Sequence, residues 1–443
     1  MTRFTGGFFT LIVSAFLGLV QLAAAAPATK EHPNIILILS DDVGLGDVHC
    51  TGGPFKTPNL DKLAAGGTKF TYCYATPLCG PSRCQLLTGR YPFRTGLNSN
   101  QSHTAVDPSR EVMIPTIMKK AGYATASVGK WGQIALGPGE WGFDEYLVFP
   151  GSGRYWRDQT KTYRVNGKQV ELEEGQYLPD IMHNFAANFI DEHKKEKFFL
   201  YYPMSQMHGP IVRTSETGDK KPTPDELYTE NVEYMDKLVG RLVAELDRQH
   251  LRENTVIIFT GDNGTAKFGV ELSTVDGKAI SGQKGSMLEG GSRVPLIVNW
   301  PGTTPAGKTN NDLTDFSDFF ATVAELGGAA LPKDTKIDSH SFAPQIRGEK
   351  GKPREWVYVE LNGKSYVRDA KYKLTAGGEL FDLSEAPFKE IPVASDSAGD
   401  SAKAAEKKLQ AILDDHKAAP ANKNAPAKKK QRAQRRRAAQ QAA

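Results

Sequence analysis

Cys79 opens the stretch of this chain whose residue types are hardest to explain as ordinary structure: Pro77-Leu-Cys79-Gly-Pro81-Ser-Arg83-Cys-Gln-Leu-Leu-Thr-Gly89-Arg90. Pro81 suits the first turn of a helix and residues 82–87 can continue it, which puts Cys79 at a helix N-terminus. Free backbone N–H groups and the helix dipole attract anions there and depress a thiol's pKa. Arg83 follows four residues later, one helical turn away, so its guanidinium points back over the same end. An anion bound at this point would meet a nucleophilic side chain, a cation and the helix start together. A plainer use of the cysteine stays open, as half of a disulfide with Cys73 or Cys84.

Four further sets of reactive residues each end an apolar run. Asp41-Asp42 follows residues 34–40, Asp262-Asn263 follows residues 255–260, Lys130 follows residues 123–128, and His208 comes shortly after residues 198–202. Carboxylates and a carboxamide are hard oxygen ligands suited to a divalent cation. Taken singly, each pair is also what a loop is made of, and Asn263-Gly-Thr265 is formally a glycosylation sequon. Their shared position is what argues for a site. Residues 34–40 are a continuous β-branched and Leu run, as expected of a strand buried on both faces, and residues 255–260 repeat the plan. Helical patterns lie between them: Thr223-Pro224 supplies an N-cap and a first helical residue, with Leu227, Met235, Leu238, Leu242 and Leu246 on one face. Strands alternating with helices predict an α/β sheet covered on both sides, with ligands beyond the carboxyl ends of its strands. After about residue 348 the runs at 356–360, 364–368 and 372–375 become short and alternating, which predicts a small antiparallel sheet, and residues 402–415 predict a last helix.

At this point the residues resemble a known family. Cys79-x-Pro81-Ser82-Arg83, then Leu87-Thr88-Gly89, is similar to the signature of the type I, formylglycine-dependent sulfatases of the alkaline-phosphatase-like superfamily. Asp41-Asp42, Gly129-Lys130-Trp131, His208-x-Pro210, Asp262-Asn263, Gly282-Gln-Lys284, Glu289-Gly-Gly-Ser-Arg293-Val-Pro295 and Trp300-Pro-Gly302 resemble further family positions in the same order. The resemblance implies a large, mixed, mostly parallel sheet flanked by helices, plus the small C-terminal antiparallel subdomain. It implies that a maturation enzyme oxidises Cys79 to formylglycine, whose hydrated aldehyde attacks sulfur and carries a covalent sulfate before releasing it. It implies Ca²⁺ held by Asp41, Asp42, Asp262, Asn263 and an oxygen on residue 79. Arg83, Lys130 and Lys284 would surround the sulfate, His208 would serve the leaving group, and Ser152 would touch substrate. Where the family carries a His after the Lys-Trp pair, this chain has Gly132; His49 and His103 are the candidate stand-ins, each also readable as a solvated loop residue.

The whole chain has 443 residues and a formal charge of +4. That charge belongs to one end: residues 416–443 hold nine Lys or Arg and no acid, so the remainder is net negative and nucleic-acid binding by the folded part is disfavoured. Arg3, the apolar residues 8–20 and Ala23 to Ala26 form an export signal, too short in its apolar part for a membrane span, so the mature protein is expected in the periplasm or outside the cell without stable membrane insertion. The expected organisation is a signal at 1–26, a catalytic α/β domain at 27–350, the small sheet at 351–390, and a terminal helix with a disordered basic tail at 391–443. Conversion of Cys79 would leave Cys50, Cys73 and Cys84, an odd number for disulfides.

Together these point to an exported sulfatase acting on a sulfated small molecule or polysaccharide, with carbohydrate sulfate preferred. The alternatives are a phosphate or phosphonate ester hydrolase on the same scaffold, and, because of Gly132, a sulfatase-like protein that binds without turnover. Specificity is expected in loops 92–110, 137–163 and 268–278, with Tyr155 and Trp156 either stacking on a sugar or packing.

Overall fold

A computed structural model describes residues 26–102, 106–394, 396 and 398–418. The expected export signal at 1–26 (apart from Ala26), His103 and the basic segment from residue 419 onward lie outside the described residues. Ten strands form the main sheet: β1 (Asn34–Ser40), β2 (Thr68–Tyr74), β3 (Ala124–Gly129), β4 (Glu145–Val148), β5 (Thr162–Val165), β6 (Lys168–Glu171), β7 (Phe198–Met204), β8 (Thr255–Gly261), β11 (Arg293–Asn299) and β12 (Lys308–Asp315). A two-stranded hairpin of β9 (Thr274–Val275) and β10 (Lys278–Ala279) stands apart. The main sheet runs in the order β12-β2-β11-β8-β1-β7-β3-β4-β5-β6. From β8 to β4 neighbours are parallel; β11 is antiparallel to both β2 and β8, and β5 and β6 fold back as an antiparallel edge.

The unbroken apolar character of β1 has a direct cause. Ile35, Leu37 and Leu39 enter one core with Leu86, Phe319 and Phe320, while Ile36 and Ile38 enter the other with Met235, Leu238 and Phe189. Side chains alternate across the sheet and both faces are covered, so the five central positions 35–39 are all apolar. The helix Pro224–Arg248 covers one face. Its Thr223 accepts from the Glu226 N–H at 3.3 Å while Glu226 accepts from the Thr223 N–H at 2.7 Å, a reciprocal cap that fixes where the helix starts. Met235, Leu238, Leu242 and Leu246 are buried, with Leu227 only partly so.

The second sheet is antiparallel throughout, β13 (Val357–Leu361), β14 (Lys364–Arg368), β15 (Tyr372–Thr375), β16 (Leu380–Asp382) and β17 (Ile391–Val393). The helix Asp400–Ala418 packs on it through Ala402, Ala405, Leu409 and Leu413. That helix is longer than residues 402–415, and His416 belongs to it: its ring stacks on Tyr358 at 4.7 Å and meets Trp356 edge-on at 5.4 Å. The helix thus takes in residues 416–418 of the basic end, with His416 partly buried among these aromatics. Buried charge ties the two sheets together. Arg354 donates to both Asp318 oxygens at 2.7–2.8 Å, and Arg368 reaches Glu289 at 3.2 Å, beside the segment that carries Lys284.

Strand direction brings the reactive residues to one edge. The Asp41 N–H donates to Met204 O at 3.0 Å, the Asp262 N–H to Ser40 O at 2.9 Å and the Lys130 N–H to Pro203 O at 2.9 Å, so the ends of β1, β8, β7 and β3 are stitched side by side. Because β2 and β8 are both antiparallel to β11, β2 ends on this edge too, and after four intervening residues the chain enters the helix Cys79–Thr88.

Candidate active site

Cys79 is the first residue of its helix, capped by Leu78 in extended conformation, and it is 1% exposed. Arg83 is fully buried, and its Nε and Nη2 both donate to Asp262 Oδ2, at 2.9 and 2.7 Å. Its Nη1 donates to the Lys130 carbonyl at 2.8 Å, and the guanidinium passes 3.5 Å from Asp41 Oδ1. Lys130 Nζ donates to Asp41 Oδ2 at 2.5 Å. Lys284 Nζ pairs with Asp42 Oδ1, which also accepts from Asn263 Nδ2 at 2.9 Å. Asp42 stands at φ 59°, a left-handed conformation that turns its N–H onto Asp262 Oδ1 at 3.1 Å. Thus Asp41, Asp42, Cys79, Arg83, Lys130, Asp262, Asn263 and Lys284 form one buried assembly.

Its electrostatics follow from crowding. Burial alone would raise the Asp41 carboxyl, but the Lys130 ammonium and the Arg83 guanidinium overcome it and hold Asp41 well below the usual carboxylate range. Asp262 goes the other way: burial and the charge of Asp41 push it up to about 7 against the pull of Arg83. Two carboxylates that oppose each other's ionisation in a dry pocket are relieved by a cation placed between them. The donor atoms suit one. Oxygen and sulfur atoms of Asp41, Cys79 and Asp262 lie within 4.8 Å of one another, and Asp41 Oδ1 and Asn263 Oδ1 are buried without a hydrogen-bond partner. Orphaned buried oxygens are costly, and a hard divalent ion would satisfy both of these.

His208 is partly buried, and its Nδ1 lies 2.7 Å from the Gly209 carbonyl. A carbonyl only accepts, so Nδ1 carries the hydrogen and Nε2 is the ring atom left for a ligand. Burial lowers this imidazole, with the charge of Asp41 opposing, so His208 faces the same cluster. Ser152 joins no bond of the assembly; its neighbour Gly153 is packed so closely on the His208–Pro210 backbone that a Cβ there would come within 2.6 Å of Pro210 O. Asn263 is 0% exposed, which leaves its sequon inaccessible. All four cysteines are free thiols.

Other expectations fare differently. His49 is exposed and paired with Asp61 at 2.8 Å, apart from the cluster, so it is no stand-in. Tyr155 is 0% exposed, its hydroxyl 3.0 Å from Ser205 Oγ, so it packs and offers no face to a sugar; Trp156 is half-buried against Tyr177. Gly132 holds φ 89°, and a Cβ on it would lie 2.9 Å from Arg83 Cδ, so the buried arginine occupies the space that a side chain at 132 would need.

Two residues escaped sequence reasoning. Asn100 is the side-chain hydrogen-bond partner of Cys79 among the described residues, its Nδ2 3.5 Å from Sγ. Asp47 is buried behind the metal-type ligands, accepting from Tyr228 at 2.8 Å and from Thr265 at 2.6 Å, and so braces the loops after both β1 and β8. Gly44, Gly46 and Gly264 mark those loops as tight turns; no local pattern marks Asn100.

With this geometry in place, comparison with known proteins is informative. The family model described as Sulfatase matches residues 33–329. N-acetylgalactosamine-6-sulfatase of Canis lupus familiaris is 32% identical over 83% of this chain and 75% of its own length. Arylsulfatase A of Homo sapiens is 32% identical over 83% of this chain and 80% of its own. The crystal structure of Ps i-CgsB in complex with k-i-k-neocarrahexaose superposes with a TM-score of 0.77 at 28% identity, covering 89% of this chain and 94% of that one.

Proposed function

The chain belongs to the sulfatase family and is a sulfuric ester hydrolase, and from that premise we propose that it acts outside the cytoplasm on sulfated carbohydrates, using Ca²⁺ and a formylglycine made from Cys79. The observation that carries the chemistry is the meeting of Cys79 with two orphaned ligand oxygens, on Asp41 and Asn263, and three cationic side chains at one strand edge. Formylglycine supplies a hydrated carbonyl as nucleophile, and a divalent ion supplies concentrated positive charge beside it.

The protein's own residues do the rest. Asp41, Asp42, Asp262 and Asn263, with an oxygen on residue 79, would hold the ion. Arg83 fixes Asp262 from behind and the helix start presents N–H groups to an anion. Lys130 and Lys284 sit on the carboxylates and are placed to follow charge onto the sulfate oxygens as it builds in the transition state. His208, with Nδ1 committed to Gly209, offers Nε2 to the bridging oxygen of the leaving alcohol. Burial of Asp41, Asp262 and Arg83 excludes water and strengthens each of these interactions.

Carbohydrate sulfate is favoured by the 32% identical N-acetylgalactosamine-6-sulfatase and by the 28% identical neighbour holding k-i-k-neocarrahexaose. The export reading rests on residues 1–26 of the sequence. A panel of sulfated saccharides, an aryl sulfate, a phosphate ester and a phosphonate ester, assayed with and without chelator, tests the proposal. Chelator-sensitive release of sulfate from at least one saccharide, restored by Ca²⁺, is expected. Faster turnover of the phosphorus esters would favour a phosphate or phosphonate ester hydrolase, and binding without turnover would favour the impaired reading that Gly132 raises.

A further inference from the structure

Residue 79 has two sets of polar neighbours. Ligand oxygens of Asp41 and Asp262 lie within 4.8 Å of its sulfur. The other neighbour is Asn100. Its Oδ1 accepts from the Gly80 N–H at 3.1 Å. A backbone N–H only donates, so this bond settles which end of the carboxamide is oxygen; Nδ2 then lies 3.5 Å from Cys79 Sγ and Oδ1, the farther of the two, 3.9 Å from it. The approach needs a residue without a side chain at 80, because a Cβ there would lie 2.5 Å from Asn100 Oδ1. The loop is held locally, with Ser99 and Ser102 hydroxyls 2.9 Å apart and Ser102 donating to Asn98 at 3.0 Å.

We propose that Asn100 is a positioning residue for the nucleophile: its Nδ2–H donates to the oxygen that residue 79 carries after conversion. A donor at that point would polarise the carbonyl toward hydration and hold one oxygen of the hydrate in a fixed direction. A carboxamide does not titrate, so Asn100 orients and never takes the proton. This rests on the formylglycine reading above.

Two variants separate a positioning role from a structural one. Asn100→Asp keeps an acceptor for the Gly80 N–H and removes the donor; Asn100→Leu fills similar space and removes both. Three quantities are read on each: the converted fraction of residue 79 by peptide mass, kcat at saturating sulfate ester, and the rate at which an aminooxy probe labels residue 79 in substrate-free enzyme. Probe labelling reports free carbonyl against hydrate and needs no turnover. Both variants should be converted, lose about tenfold or more in kcat, and label faster than wild type. Wild-type kcat and labelling in Asn100→Asp would reduce Asn100 to an anchor for Gly80 and overturn the proposal. Wild-type protein with an unconverted Cys79 would instead overturn the functional reading, and this inference with it.

Discussion

Gly132 shows how a single residue can be constrained by a neighbour rather than by its own chemistry. It stands at φ 89° with the Arg83 side chain where its Cβ would be. Gly132→Ala should cost about 1–3 kcal/mol, from backbone strain and from pressure on an arginine that holds Asp262. Urea unfolding measures it, and an unchanged midpoint would show that Arg83 yields freely. At this scale the sequence is legible where chemistry and position coincide. Asp41, Asp42, Asp262 and Asn263 stand immediately after apolar runs, and the strand ends bring them together. Asn100 was invisible because it lies in a loop between short helices, and only the fold brings it to Cys79. Asp47 was hidden by its turn-like surroundings, although its carboxyl is buried and pushed up to about 6 by that burial.

Among the elements, the strands whose faces are both buried were the easiest to read, since alternation between two cores makes most of their positions apolar. The direction of β11 was not legible: an apolar run has no sign, and β11 runs antiparallel between β2 and β8. The apolar run at residues 198–202 is followed by Pro203, a poor residue for a central strand. The strand continues to Met204, and Pro203 contributes a carbonyl that accepts from Lys130. A testable junction joins the helix Leu178–Glu192 to β4. His193 follows the helix and places Nε2 2.7 Å from Glu145 and Nδ1 2.5 Å from Glu196. The hydrogen bond to Glu145, then that to Glu196, raises this imidazole to about 9 against the effect of burial. A raised folded-state pKa stabilises fully below the ordinary imidazole value of about 6.5 and fades as pH climbs through about 9. His193→Gln should therefore cost about 1 kcal/mol at pH 6 and close to nothing at pH 10. Thermal melts at both values check it, and an equal loss at both would mean that the ion pairs contribute nothing.

For the whole molecule, the smaller sheet supports the larger one where the reactive segment passes. Arg368 and Tyr74 converge on Glu289, five residues after Lys284, and the Glu289 N–H donates to Glu390 at 3.0 Å. Charge is distributed just as unevenly along the sequence: residues 419–443 hold eight Lys or Arg and no acid. Such a segment concentrates a polyanion without altering the chemistry. Deletion of residues 419–443, which spares the packed His416, should raise KM on a sulfated polymer and leave KM on an aryl sulfate unchanged. Equal effects on both substrates would rule out tethering.

The account depends most on what residue 79 is in working enzyme. Protein purified from cells that contain the maturation enzyme, digested and weighed across the peptide that holds residues 79–83, answers this directly. A mass lower than that of the cysteine peptide by the exchange of a thiol for a carbonyl, rising with specific activity across preparations, is predicted. Full activity with an intact thiol at residue 79 would contradict the account.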